Sequence, residues 1–151
     1  NYSLLQKYNL SFDVHLWPQQ YSYAYSLFKK YPNILNIINH AGTPKERGGD
    51  YLNFWKTELK KLASLDNTSI KISGLGMFDQ KWSTESIKPI ILDCIEIFGI
   101  DRCFFASNFP VDKLFSSYEK VWNCYFDITK DFNIDEKNKL FYKNAEKFYR
   151  I

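Results

Sequence analysis

At 151 residues, the chain has one domain's length and enough material for a real core. Apolar residues make up 45% and charged residues 25%, as in an ordinary globular protein, and aromatics at 19% read first as packing. A net charge of +3, with lysines scattered through TELKKLA and DEKNKLFYKN, excludes a basic stripe for nucleic acid. No apolar run reaches the length of a membrane span and no signal peptide is read, so no membrane partner is expected. Cys94, Cys103 and Cys124 have apolar neighbours and no metal spacing, which predicts buried, reduced thiols in a cytoplasmic protein.

The opening Asn-Tyr-Ser lacks Met and falls in what reads as the tail of a helix over 2–8. The expectation is a fragment whose N-terminal part is missing. Residues 10–16 predict a first strand, and Tyr21, Tyr25 and Phe28 give helical spacing over 19–31, stopped at Tyr31-Pro32. Leu35 to Asn39 predicts a second strand, followed by His40-Ala41-Gly42-Thr43-Pro44 and a polar loop, KERGGD. Asp50 is the expected N-cap of a helix over 51–65 with a stripe of Leu52, Trp55, Leu59 and Leu62. Ser69 to Ser73 predicts the third strand, and Gly74 and Gly76 open a loop.

Thr84 is the expected cap of the next helix without a capping box, and Pro89 predicts a start or kink there. Ile90, Ile91, Cys94, Ile95 and Phe98 line one face, and Gly99 stops it. The stretch RCFFASNFPVD, 102–112, organises the rest: a buried strand that ends on Ser107 and Asn108, with Pro110 blocking continuation. Helices over 115–130 and 135–148 close the chain.

The order β-α-β-α-β-α-β-α-α, without hairpin signals, predicts an α/β fold with an all-parallel sheet. Four such units make a small doubly wound sheet or half of an eight-fold barrel, and the missing start favours half a barrel, the C-terminal part of a TIM (β/α)8 barrel. A half barrel leaves raw sheet edges, which predicts self-association, a homo-oligomer, for the segment alone.

Strand parity puts Phe12, Val14 and Leu16 on one face and Ser11, Asp13 and His15 on the other; Ile70 and Ile72 likewise oppose Ser69, Lys71 and Ser73. An inward Lys71 pairs with Asp13 or serves substrate; the bland alternative is a solvated lysine on an edge strand. The only two histidines, His15 and His40, both sit at strand ends, where α/β folds place chemistry. A neutral imidazole there binds a metal or acts as a general base, or is a satisfied structural residue. Trp17 and Gln20 line the pocket as an aromatic wall and an amide donor, or simply pack.

The motifs SFDVHLWPQQ, INHAGTP, IKISGLGMF, FGIDRCFFASNFPVDKL and NAEKFYRI, in this order, resemble the C-terminal half of an amidohydrolase-related (family 2) metal-dependent hydrolase, and within it the lactonase branch. The resemblance implies a TIM barrel, with residues 1–151 as a partial barrel domain. It makes His15 the strand-five metal ligand and His40 the strand-six histidine that acts as an acid/base or orients the attacking water. Lys71 and Ser73 fall in the strand-seven KxSG pattern and bind substrate with Trp17 and Gln20. Asn108 stands where most members carry an Asp that is the strand-eight metal ligand and water-activating base; Asn offers a carbonyl oxygen but no charge and no base. Asp112 either replaces that carboxylate or is a loop surface residue. The implied cofactor is a divalent metal, zinc first, although part of its site would lie in the absent half. The implied partner is a small-molecule substrate, a lactone or similar cyclic ester. Metal-assisted decarboxylation and ligand binding without turnover are the alternatives.

Overall fold

Strands β1 (Phe12–Val14), β2 (Asn36–Ile38), β3 (Thr68–Ile72) and β4 (Cys103–Phe105) form one sheet in the order β1-β2-β3-β4, and every adjacent pair is parallel. The structure, a computed structural model, describes residues 1–151. The intervening helices are α1 (Leu4–Lys7), α2 (Tyr21–Lys30), α3 (Gly49–Ala63), α4 (Thr84–Phe98) and α5 (Tyr118–Ile128). The chain closes with α6 (Ile134–Asn138), a π-helical turn over Lys139–Lys143, and α7 (Asn144–Tyr149). Sequential strands in sequential order, each followed by a crossover helix, are the arrangement of part of a (β/α)8 barrel. No helix is long and apolar enough to cross a membrane.

The predicted parity holds. Ile38, Ile70, Ile72, Cys103 and Phe105 face the main core, where they meet Phe28, Trp55, Leu59, Ile91 and Tyr125 of the helices, and Phe12, Val14 and Leu16 pack against it. Ile37 and Phe104 point the other way and form a small inner cluster with Phe148. All three cysteines are buried and free, as expected. The end of α7 floors the inner face: Phe104 lies 5.7 Å from Phe148 and 5.8 Å from Tyr149 between ring centroids. The Ser11 hydroxyl donates to the Phe148 carbonyl at the start of β1. The floor therefore lies at the end of the sheet opposite His15 and His40.

Several boundaries differ from the sequence reading. Gly48, not Asp50, is the N-cap of α3, and Asp50 sits in the first turn, where a carboxylate complements the helix dipole. Ser83, not Thr84, caps α4, and a capping box does form, with Ser86 as the reciprocal partner. Pro89 neither starts nor stops α4. Its missing N–H would have bonded the carbonyl of Glu85, an exposed residue in the first turn, where leaving that carbonyl without a helix partner costs little. The helix expected from 115 begins at Tyr118, because the Ser117 hydroxyl accepts from the Lys120 amide at 3.1 Å. The first helix shrinks to Leu4–Lys7.

Candidate active site

Four residues in a row set the rim above β2. His40, Ala41, Gly42 and Thr43 all have positive φ, at 55°, 52°, 65° and 55°. For the three that are not glycine, left-handed backbone costs on the order of 1–2 kcal/mol each, so the surroundings must hold the turn. Trp55 Nε1 donates to the Ala41 carbonyl at 3.1 Å, the Tyr21 hydroxyl donates to the Gly42 carbonyl, and the Thr43 amide closes back onto the His40 carbonyl at 2.8 Å. The turn brings the His40 imidazole alongside the end of β3, where Nδ1 lies 3.0 Å from Ser73 Oγ. The hydroxyl serves either tautomer, and with Nδ1 so engaged Nε2 is the nitrogen available for chemistry.

His15 and His40 come together, with ring centroids 5.0 Å apart and rings at 85°. His15 in turn lies 5.8 Å from Trp17, and Trp17 lies 5.6 Å from Phe78. The rings thus run continuously from half-buried His40 to the rim, where Lys45 places its ammonium 5.7 Å over the Trp17 ring. Burial, then the neighbouring His15 and the Lys71 charge, lower the His40 pKa to about 4. His40 is therefore a neutral acceptor at pH 7.

Gly74 makes this approach feasible. Its φ is +63°, and a Cβ there would stand 2.7 Å from His40 Nδ1 and 2.8 Å from Met77 Cε. Met77 has a flexible end that can yield, whereas the His40 ring is held by Ser73. Gly74→Ala is expected to cost about 1–2 kcal/mol in backbone strain and to push the imidazole off Ser73. Thermal melting reads the first effect and turnover the second.

Lys71 is engaged one level below. Its ammonium pairs with Asp13 at 2.6 Å and donates to the Tyr149 hydroxyl at 2.9 Å, while that hydroxyl also contacts Asp13 at 2.9 Å. Burial opposes the charge, but the bonds to Asp13 and Tyr149 outweigh it and the Lys71 pKa is raised. The Asp13–Lys71 ion pair is thus the observed arrangement, and β3 is not an edge strand of the sheet. Gln20 does not join the histidines. Its Oε1 accepts from the Trp17 amide at 2.9 Å, and it lines an outer groove of about 450 Å³ with Phe12, Val14 and Leu27. The cap at Pro18–Gln20 engages the side-chain oxygen of Gln20, and its Nε2 makes no hydrogen bond within the chain.

At the end of β4, Asn108 has φ 57° and precedes a cis Phe109–Pro110 bond. Its Nδ2 donates to Asp112 Oδ1 at 2.9 Å. Asp112 is only 3% exposed, so the loop-surface reading is overturned. The turn folds Asp112 back because its amide donates to the Asn108 carbonyl at 3.2 Å.

Residues the sequence reading passed over include Tyr149, Phe78, Lys45 and Asn39. The Asn39 Oδ1 is buried without a partner beside His40. Inward parity with Ile37 was the one available signal for it.

No group of three His, Cys, Asp or Glu side chains gathers to hold a metal ion. His15 and His40 are two donors where catalytic zinc takes three from protein, so these residues alone do not fit a metal centre.

A parallel sheet with His15, His40 and Asn108 each just past the C-terminal end of a strand is the arrangement in which barrel folds place their sites. The chain belongs to the amidohydrolase family: the family model described as Amidohydrolase matches residues 1–151. It is similar to an uncharacterized protein, y4mH, of Sinorhizobium fredii, 42% identical over 97% of this chain and 49% of that protein. It is also similar to L-fucono-1,5-lactonase of Burkholderia ambifaria, 26% identical over 95% of this chain and 51% of that enzyme. Among solved structures, an amidohydrolase from Burkholderia multivorans with bound Zn superposes with a TM-score of 0.91, at 24% identity, covering 99% of this chain and 55% of that one. That likeness carries the fold. The chain spans about half the length of the curated relatives it matches.

Proposed function

We propose that the protein is a hydrolase that opens a lactone, or a similar cyclic ester of a small polar acid, with water activated by His40. One observation carries this reading: a half-buried, neutral imidazole at the C-terminal rim, anchored by Ser73 through Nδ1 and free at Nε2. Water attacks the ester carbonyl carbon as its proton passes to His40 Nε2, and the carbonyl electrons move onto oxygen. When the tetrahedral adduct collapses, the ring C–O bond breaks and His40 returns the proton to the departing alkoxide. Asn108 offers its carbonyl oxygen to the water, and Trp17 with Phe78 forms a wall against which a ring can lie.

For Lys71 we infer an electrostatic role in place of substrate binding. An ammonium bonded to both Asp13 and Tyr149 acts on His40 through its charge, which favours the neutral imidazole, rather than by holding substrate. The metal-ligand role that the resemblance implies for His15 would make it one donor to a divalent ion, zinc first, although the residues present do not complete such a site. Support for the lactone class comes from the similarity to the fuconolactonase.

The test is acid release by the full-length protein from a panel of sugar lactones and carboxylated pyrones, with product analysis. Acid without carbon dioxide supports the reading. Carbon dioxide release would replace it with decarboxylation, and saturable binding without turnover would replace it with a ligand-binding role.

A further inference from the structure

Resting on the hydrolase reading above, we propose that Asp112 is a positioning residue: its carboxylate fixes the Asn108 amide so that Oδ1 faces the site as the water acceptor. The carboxylate of this rim therefore stands four residues after Asn108 and acts through a carboxamide.

An asparagine side chain has two faces, an oxygen that accepts and a nitrogen that donates, and nothing intrinsic chooses between them. An ionised carboxylate only accepts, so Asp112 selects the orientation in which Nδ2 points to it, at 2.9 Å. Oδ1 then points away, and it makes no hydrogen bond within the chain while not being buried. The backbone holds the pair at this spacing from both sides. The Asp112 amide donates to the Asn108 carbonyl, and the Phe115 and Ser116 amides both donate to the Asp112 carbonyl at 2.9 Å. Upstream, the Phe109 amide is held by Ser107 Oγ at 3.2 Å. Burial pushes the Asp112 pKa up, and the hydrogen bond from the Asn108 amide works against that rise.

The consequence runs against the simplest repair. Asn108→Asp would set two carboxylates against each other at hydrogen-bond distance, where both cannot ionise without cost. The variant is expected to melt several degrees lower at pH 7 and to recover on acidification, as one shared proton returns. The exchanged double variant, Asn108→Asp with Asp112→Asn, restores an amide–carboxylate contact and is expected to melt like the natural protein at pH 7. Melting needs no substrate, so these arms judge the pair even if no lactone is turned over, an outcome that would fail the hydrolase reading alone.

Activity separates positioning from mere structure. Asp112→Ala is expected to lower kcat by about 10-fold or more with KM little changed, and Asp112→Asn to recover most of that loss, since a carboxamide oxygen still accepts from Nδ2. Asn108→Asp melting like the natural protein at every pH would overturn the proposal. So would an exchanged double variant that fails to recover, or a kcat unaffected by Asp112→Ala in an active enzyme.

Discussion

Replacing His40 by Gln is expected to lower kcat for ester opening by about 10²–10⁴-fold, the usual contribution of a positioned general base, while the chain still folds. Glutamine keeps a polar side chain near Ser73 but has no basic nitrogen. The pH profile gives a second signature. With a His40 pKa of about 4 in the folded protein, kcat/KM should hold level through neutral pH and fall only as pH approaches that value. Stability follows a related course. The unfolded imidazole takes up its proton near the ordinary value of 6.5, the folded one only near 4, so between these the unfolded state binds more protons. His40's contribution is therefore full above about pH 6.5 and is lost as pH falls towards 4. Discounted for solvent screening of a half-buried ring, it amounts to on the order of 1–2 kcal/mol. His40→Gln removes both the acid limb of the rate and this part of the acid sensitivity. Unchanged kcat in that variant would remove His40 from the mechanism.

The strands were legible because each is a short apolar run ended by polar punctuation, and a buried parallel strand has few other ways to look. Parity then told which face each side chain takes, so Asp13 opposite Lys71 was readable before any coordinate. Caps were less legible. Gly48 and Ser83 each sit one or two residues before the more obvious Asp50 and Thr84, and only the path of the incoming chain decides which residue turns into the helix. The rim was readable in its residue types but not in its geometry. Gly42 signals a turn, yet nothing in His40, Ala41 or Thr43 announces left-handed backbone, which tertiary bonds from Tyr21 and Trp55 impose. The surface alternative for Asp112 fails for a related reason: an Asp shortly after Pro in a loop is usually solvated, and the fold-back that buries it is set by the backbone bonds of 108–116. Tyr149 was invisible because it reaches Lys71 from 78 residues away in sequence.

Trp55→Ala should have the largest effect on stability, about 3–5 kcal/mol, the range for truncating a fully buried large aromatic. Trp55 is 0% exposed in the core between α3 and the sheet. Size is only part of its work, because its Nε1 is one of the groups holding the left-handed turn at His40. Trp55→Phe isolates that part. It keeps much of the apolar volume and leaves the Ala41 carbonyl buried without a donor, at about 1–3 kcal/mol. That is comparable to the backbone cost the turn must overcome at a single non-glycine residue, on the order of 1–2 kcal/mol. The turn should therefore loosen locally before the domain melts. Leu62→Ala provides the control: Leu62 is equally buried on the same helix but makes no bond to the turn, and its loss costs about 2–5 kcal/mol. Below the melting range, Trp55→Phe should lower kcat, while Leu62→Ala should lower Tm at least as far and leave kcat near the natural value. Equal kcat in the two variants would mean that Trp55 supports the core alone and that the geometry of His40 is set elsewhere.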